Sequence, residues 1–528
     1  MPDAGGIGDA RAAAIEHAYA LIEAAQGEDT AGQIDAAGAE AAARGWDDVQ
    51  VLLHYANAFA AHRAGLDDSA HIQAMVEVSS RIEDPALYAM SLAHTAGRRV
   101  ESRRALELTE SPTSLLVRAV GLLDGSSGPV VHRAAALIAI AVVSHVLGLW
   151  ELAMEQYDLA EQALTADDDP RWAQTVRRQR RAVAFNRVDL ALDWSSAQAT
   201  IGDWAAAASR AAAILPGSLE AVDADWPPSW VCEYRRLLQL LAALAGLDRG
   251  TEYDLSPNED QPAVAVGAAI HAARRGDTDR AARLADGQVD RLGVVPSNAR
   301  LLCMSIAARQ PGTPAIATAY AAELATLRWN ARIDQMTGVR DAIAVERRRR
   351  EHEQLRHQVL VDDLTGLANR RGYQAYLAGL RQPEDDEPGG YAAMMIDVDH
   401  FKGVNDTFGH DVGDLVLTRI AQVLALNVRP ADLAARLGGD EFVVILAGVG
   451  PGLPEARAQA ILDAVSGHPW AEIAAGLTVS ISIGVHHGGR LDLPDLLADA
   501  DRKLYHAKKG GRGRVAGHTA SAAAGAFG

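Results

Sequence analysis

The chain has 528 residues, a formal charge of -19, 49% hydrophobic and 23% charged residues. At about 150 residues per domain this is three to four domain equivalents, and the composition excludes wholesale disorder. The acidic balance argues against a protein that wraps nucleic acid, and two cysteines, Cys232 and Cys303, rule out a disulfide scaffold or a Cys-based zinc module. A reduced cytosol is the simpler reading. Residues 1–6 carry neither a basic nor an apolar leader segment, so no signal peptide is expected.

From about residue 10 to 345 apolar residues recur at three and four residue spacing, which predicts helix nearly throughout. Aromatics are only 5%. The most apolar stretch, Ala134 to Trp150, is short for a membrane span and contains Ser144 and His145, so it is expected to be a buried core helix. A local pattern recurs: a Gly followed five residues later by Ala, at Gly65/Ala70, Gly148/Ala153, Gly202/Ala207 and Gly276/Ala281. Around the second, Gly148-Leu149-Trp150-Glu151-Leu152-Ala153 leads into Tyr157, Ala160 and Leu164. This resembles a tetratricopeptide unit, in which Gly allows the turn and Ala lets two helices approach. The glycines are 83, 54 and 74 residues apart, not multiples of the expected period of about 34, so the resemblance is to a divergent array. An irregular all-helical domain is the competing reading. A repeat array implies a binding surface for a protein, a peptide or a small signal.

Residues 315 to 360 read as one connector helix interrupted only by Gly338. Trp329, Ile333, Met336 and Ile343 are spaced four, three and seven, which predicts a short coiled-coil seam. The run Glu346-Arg347-Arg348-Arg349-Arg350-Glu351 is expected to be a solvated, salt-bridged face. His352 and His357 are five apart, so they do not form a zinc-protease pair on one helix face.

From about 361 the pattern changes. Strands are predicted at 391–396, 433–437, 442–446 and 477–485, the middle two forming a hairpin across Gly438-Gly439, with helices at 411–427, 454–466 and 494–508. Asp397 and Asp399 end one strand, and Asp440-Glu441 occupy the hairpin turn. Brought together, these carboxylates suit a hard divalent cation such as Mg²⁺, which typically brings phosphates. An EF-hand fails because Phe401 and Lys402 stand where its loop needs other residues, and no Walker P-loop occurs.

Arg436-Leu437-Gly438-Gly439-Asp440-Glu441-Phe442 resembles the GGDEF signature of diguanylate cyclases. Asp362-Asp363-Leu364-Thr365-Gly366-Leu367-Ala368-Asn369-Arg370 resembles that family's opening block. Asp397 to Lys402, Asn405 to Asp414, Ser480 to Val485, and Ala500 to Arg512 match later blocks in order. The resemblance covers about 361 to 516 and implies an α+β domain with a mainly antiparallel sheet flanked by helices. It divides the chain into an all-helical region, 1–314, a connector, 315–360, the catalytic domain, 361–516, and a tail, 517–528.

The resemblance implies an Mg²⁺-dependent enzyme (Mn²⁺ possible, two ions per half-site) that joins two GTP into cyclic di-GMP across a homodimer. By the matched positions Asp397, the Val398 carbonyl and Asp440 are metal ligands, with Glu441 beside them as ligand or base. Asn405 and Asp414 read guanine and His410 lines the nucleotide pocket. Gly438 and Gly439 leave room for phosphates, and Lys402, Lys508 and Arg512 balance their charge. Phe401 is placed with the pocket residues, although its ring, like that of Phe408, equally suits packing. Phe442 is expected in the core. Asp363, Asp399 and Asp406 read as helix or turn caps. Arg429 and Asp432 stand where the family has an inhibitory product-binding RxxD pair. Leu437 and the acidic segment Pro383 to Gly390 depart from the common pattern without removing a proposed ligand. The alternatives are a non-catalytic cyclic di-GMP receptor and a cyclase with relaxed base choice.

Overall fold

A computed structural model of the chain describes residues 8–101, 110–123, 128–166, 169–248, 250–256, 260–293, 295–380, 390–429, 431–488 and 493–517. Most of the acidic segment, Pro430 and the end of the tail lie outside the described residues. The chain divides into two compact units, Met1–Arg348 and Arg349–Gly528.

The first unit is helical. Its apolar residues form two clusters, one reaching from Ala12 to Ile343 and one from Val188 to Ile306. The helix Ala173–Thr200 serves both: Val183, Leu190 and Trp194 enter the first cluster, Val188, Ala191 and Leu192 the second. Facing two cores explains why this helix is buried on more than one side. The turn glycines do what their spacing implied. Gly65, Gly148, Gly202 and Gly276 all have positive φ, between 67 and 94°, a conformation that costs other residues roughly 1 kcal/mol or more. Ala153, Ala207 and Ala281 are buried in the following helices, whereas Ala70 is exposed. The apolar stretch becomes the helix Val130–Val146, with Ala136, Leu137 and Ile140 in the first core. Among the described residues no helix is long and apolar enough to cross a membrane.

The helix Ala315–Leu360 runs unbroken for 46 residues. The expected coiled-coil seam needs correction. Met336 and Ile343 are buried in the first core together with Val339, and Trp329 packs against it. Ile333 stays 42% exposed. A helix face that docks on its own chain has the same periodicity as one that meets a partner, so spacing alone could not separate them. Arg332 reinforces the docking, with its Nη1 and Nη2 donating to the Glu151 carboxylate at 2.7 and 3.0 Å. In the arginine run Arg349 pairs with Glu353 on the exposed face.

The second unit is built on a five-stranded sheet: β1 Gly390–Val398, β2 Leu433–Gly438, β3 Glu441–Val449, β4 Ile481–Gly488 and β5 Val515–Ala516, in the order β2-β3-β1-β4-β5. All neighbours are antiparallel except β4 and β5. β4 begins at Ile481, later than its apolar pattern suggested. Side chains alternate between two cores as the pleat requires: Ala392, Met394, Ile396, Phe442 and Val444 on one face, Tyr391, Ala393, Val443 and Ile445 on the other. Both faces are covered, which is why β1 reads as a continuous apolar run.

Candidate functional site

The site lies where β1 ends beside the β2–β3 turn. Asp397 stands opposite Glu441 on β3 and opposite Ser482 on β4, and the Val398 N–H donates to the Asp440 carbonyl at 3.2 Å. The sheet register therefore carries the metal-ligand candidates of two separate sequence blocks to one edge. Gly438 and Gly439 have φ of 148 and 55°, and nothing lies within 4 Å of where a Cβ would be on either. The turn thus needs glycine for its conformation and leaves open space beside it.

A pair of residues far apart in sequence, Arg436 and Asp362, fixes this turn. Arg436 donates from Nε and Nη2 to the Gly439 carbonyl at 3.0 and 2.8 Å, and from Nη1 to Asp362 Oδ1 at 3.1 Å. Asp362 also accepts from the Thr365 N–H and hydroxyl at 3.0 and 2.6 Å. Burial works to raise the Asp362 carboxyl, but the Thr365 and Arg436 contacts prevail and hold it below its ordinary value.

Asp397 is buried, and its Oδ2 is 2.6 Å from Lys508 Nζ. Burial raises its pKa, Lys508 opposes the rise, and the nearby Asp440 and Asp399 charges add to it. Lys508 reaches this point because the helix Leu493–Lys509 lies directly on β4. A Cβ at Gly484 would collide with the Ala500 and Leu504 backbone. Arg512 follows in a left-handed conformation, φ 61°, and is exposed.

Asp399 does not join the other carboxylates. It accepts from the Ser480 hydroxyl at 2.8 Å, the Ser482 hydroxyl at 2.7 Å and the Gly513 N–H at 2.9 Å, tying β1, β4 and the approach to β5 together. Glu441 is exposed. Among the described residues no three His, Cys, Asp or Glu side chains gather closely enough to hold an ion alone. The expectation of several carboxylates around one point is corrected to Asp397 and Asp440, with the Val398 carbonyl. That set still fits Mg²⁺, which commonly takes one or two carboxylates and completes its octahedron with water and substrate phosphates. The Lys508 ammonium on Asp397 marks the place as one where positive charge is favoured.

Asn405 lies on the helix Phe401–Phe408, and His410 and Asp414 on the helix His410–Leu426. The two helices meet at Gly413, where a Cβ would run into Asn405 Oδ1 and press on Phe401. Gly413 therefore sets the spacing between Asn405 and its own neighbour Asp414. Lys402, His410 and Asp414 are exposed around this corner. Phe401 and Phe408 pack against the sheet core and Phe442 is fully buried. Phe401 is thus half-buried and packs on the core.

Asp432 is almost completely enclosed. It accepts from the Arg429 N–H at 2.9 Å, the Ala447 N–H at 3.1 Å and Arg457 Nη1 at 3.3 Å. Its carboxylate thus closes the turn ahead of β2, and Pro430 lies outside the described residues. Arg436, Asp362, Gly413, Ser480 and Ser482 are positioning residues that lie inside the motif blocks, where nothing in their type alone marks that role. Arg457 was outside every motif, and nothing in its spacing marked it.

The family model of the diguanylate cyclase GGDEF domain matches residues 359–514. Residues 359–514 are a GGDEF domain. The response regulator PleD of Caulobacter vibrioides is 45% identical over 168 residues, 30% of this chain and 36% of that protein. The probable diguanylate cyclase DgcT of Escherichia coli is 35% identical over 158 residues, 29% and 34% of the two chains. The solved coiled coil and GGDEF domain of DgcB from Caulobacter crescentus, in complex with c-di-GMP, covers 36% of this chain and 99% of its own at 29% identity, with a TM-score of 0.32. The chain spans about a third of the length of these curated relatives.

Proposed function

We propose that this chain is a diguanylate cyclase, condensing two GTP into cyclic di-GMP with release of two pyrophosphates in the cytoplasm. The observation that carries the reading is the register of Asp397 against Glu441, with Asp440 and the open Gly438-Gly439 turn beside it, inside a GGDEF domain. Asp397, the Val398 carbonyl and Asp440 would hold Mg²⁺, with Mn²⁺ as a substitute and two ions per half-site. When bound, the metal supplies charge neutralisation on the phosphates and acidifies a hydroxyl nucleophile. Glu441, exposed and without a side-chain partner among the described residues, would serve as ligand or base.

Lys508 holds Asp397 before substrate arrives and is positioned to move to phosphate oxygens, where Lys402 and Arg512 add positive charge. Asn405 and Asp414 read guanine: a carboxylate accepts from the ring N–H and the amino group, a pattern adenine lacks. His410 borders the same corner. Each 3'-hydroxyl must attack the other α-phosphate, so two copies face each other and orientation supplies a large part of the rate. Ile316, Tyr320, Leu324 and Leu327, exposed at four, four and three residue spacing on the connector helix, are available for that pairing. Product inhibition would use Arg429, with Asp432 shaping its turn, and the helical unit would regulate the cyclase.

Incubating the purified chain with GTP and Mg²⁺, with and without cyclic di-GMP, tests this reading by chromatography. Turnover supports it, slowing by product supports the Arg429 site, and cyclic di-GMP binding without turnover would make the chain a receptor instead. Offering ATP and GTP together tests base choice.

A further inference from the structure

The helical unit contains a cavity of about 600 Å³, whose wall includes His145, Trp150, Tyr157, Asp189, Asp193 and Trp329. Asp189 and Asp193 are one turn apart on the helix Ala173–Thr200, with His145 between them. His145 Nδ1 is 3.8 Å from Asp189 and Nε2 is 3.5 Å from Asp193. The two carboxylates are not equivalent. Asp193 is engaged, accepting from the Asn298 N–H at 2.8 Å and the Asn298 side-chain amide at 2.9 Å. Asp189 makes no hydrogen bond among the described residues, and its side chain keeps 31% of its surface. Burial pushes the Asp189 carboxyl up to about 6 even though His145 pulls it down.

One His145 ring is shared between Asp193 and Asp189, so the carboxylate that makes no hydrogen bond can take a further donor carrying positive charge. The other walls say what kind of donor. Trp150 and Trp329 have ring centroids 6.0 Å apart. Tyr157 is fully buried, and among the described residues neither its hydroxyl nor the Trp150 indole N–H has a partner. Aromatic faces favour an organic cation. A hydrated metal would need further oxygen ligands, and among the described residues no metal-ligating group of three is present. The Arg332 guanidinium lies over Trp150 and Trp329, but its charge is matched by Glu151 through two hydrogen bonds. Arg328, also lining the cavity, is exposed and its charge is screened by solvent.

We propose that this cavity binds a small organic molecule through a protonated amine, with Asp189 as its counter-ion and Trp150 and Trp329 as its aromatic walls. Trp329, Arg332 and Gln335, all in the wall, belong to the helix that continues to Leu360. The proposal stands independently of the cyclase reading, because it is tested by binding alone.

The test is a titration of the full chain with 2-phenylethylamine and with 1,4-diaminobutane, read by intrinsic tryptophan fluorescence. The neutral 2-phenylethanol serves as the isostere of the first probe. The expected result is a saturable change with an amine, about tenfold weaker or more with the alcohol. Asp189→Asn should lose about tenfold in amine affinity with an unchanged far-UV circular dichroism spectrum, and Asp189→Glu should retain binding. No saturable response to either amine up to about 10 mM, or equal affinity for amine and alcohol, would overturn the proposal. The amine–alcohol comparison uses the unaltered chain, so it decides even if Asp189→Asn fails to fold.

Discussion

The two units place chemistry in opposite ways. In the GGDEF domain the reactive groups cluster in short sequence blocks, and the sheet register does little more than set two blocks side by side. In the helical unit one titratable cluster, His145 between Asp189 and Asp193, draws on segments more than 40 residues apart and carries no motif. The first kind of site is nearly visible in one dimension. The second exists only after packing, because helices bring single residues rather than runs to a shared wall.

The largest expected effect falls on the motif side. Asp440→Ala with Glu441→Ala should lower GTP turnover about 10³-fold or more while leaving the unfolding of the helical unit unchanged. Equal loss of stability in both units would break the contrast. Met336→Ala should do the reverse, costing the helical unit about 2–4 kcal/mol in denaturant unfolding because the residue is buried in its own chain. Ile333→Ala should change stability by less than about 0.5 kcal/mol. A seam between two chains at these positions would instead make both substitutions concentration-dependent.

Smaller effects sharpen the account of how the motif side is held. Arg436→Ala should destabilise the catalytic domain by about 1–2 kcal/mol and slow turnover, since the Gly439 carbonyl and Asp362 both lose a donor. The pH dependence has a definite sign. Asp362 titrates below its ordinary value of 3.8 in the folded domain, so its contribution is present above that value and is lost as pH falls through the folded one. Acid unfolding of Arg436→Ala should therefore begin at higher pH than in the unaltered chain. Gly413→Ala should raise KM for GTP about tenfold with a smaller change in kcat, by pushing Asn405 away from Asp414. An unchanged KM would remove Gly413 from the proposed guanine corner.

These residues also mark how far the sequence could be read. Asp397, Asp440 and the glycine turn were legible because each block is contiguous and the strands beside them read as short continuous apolar runs. The Asp362–Arg436 pair was not, because its members are 74 residues apart and only the folded turn joins them. Gly413 stood in a quoted motif, but its reason, the approach of two helices, has no one-dimensional trace. Asp399 stood beside Asp397 at the strand end and read as a cap, whereas its carboxylate clasps two strands together. The connector misled for a different reason: Trp329, Met336 and Ile343 have the right period, but their partner is their own chain. The turn glycines of the helical unit were readable because positive φ is a local demand, whereas the cavity beside Trp150 was not.

The central claim is that the site at the end of β1 makes cyclic di-GMP from GTP. Its most direct test is chromatographic analysis of the full chain incubated with GTP and Mg²⁺, beside the Asp440→Ala, Glu441→Ala double variant. Cyclic di-GMP and pyrophosphate from the unaltered chain, and none from the variant, are the predicted result. GTP left intact by a folded, dimeric chain, or product formed equally by the variant, would contradict it.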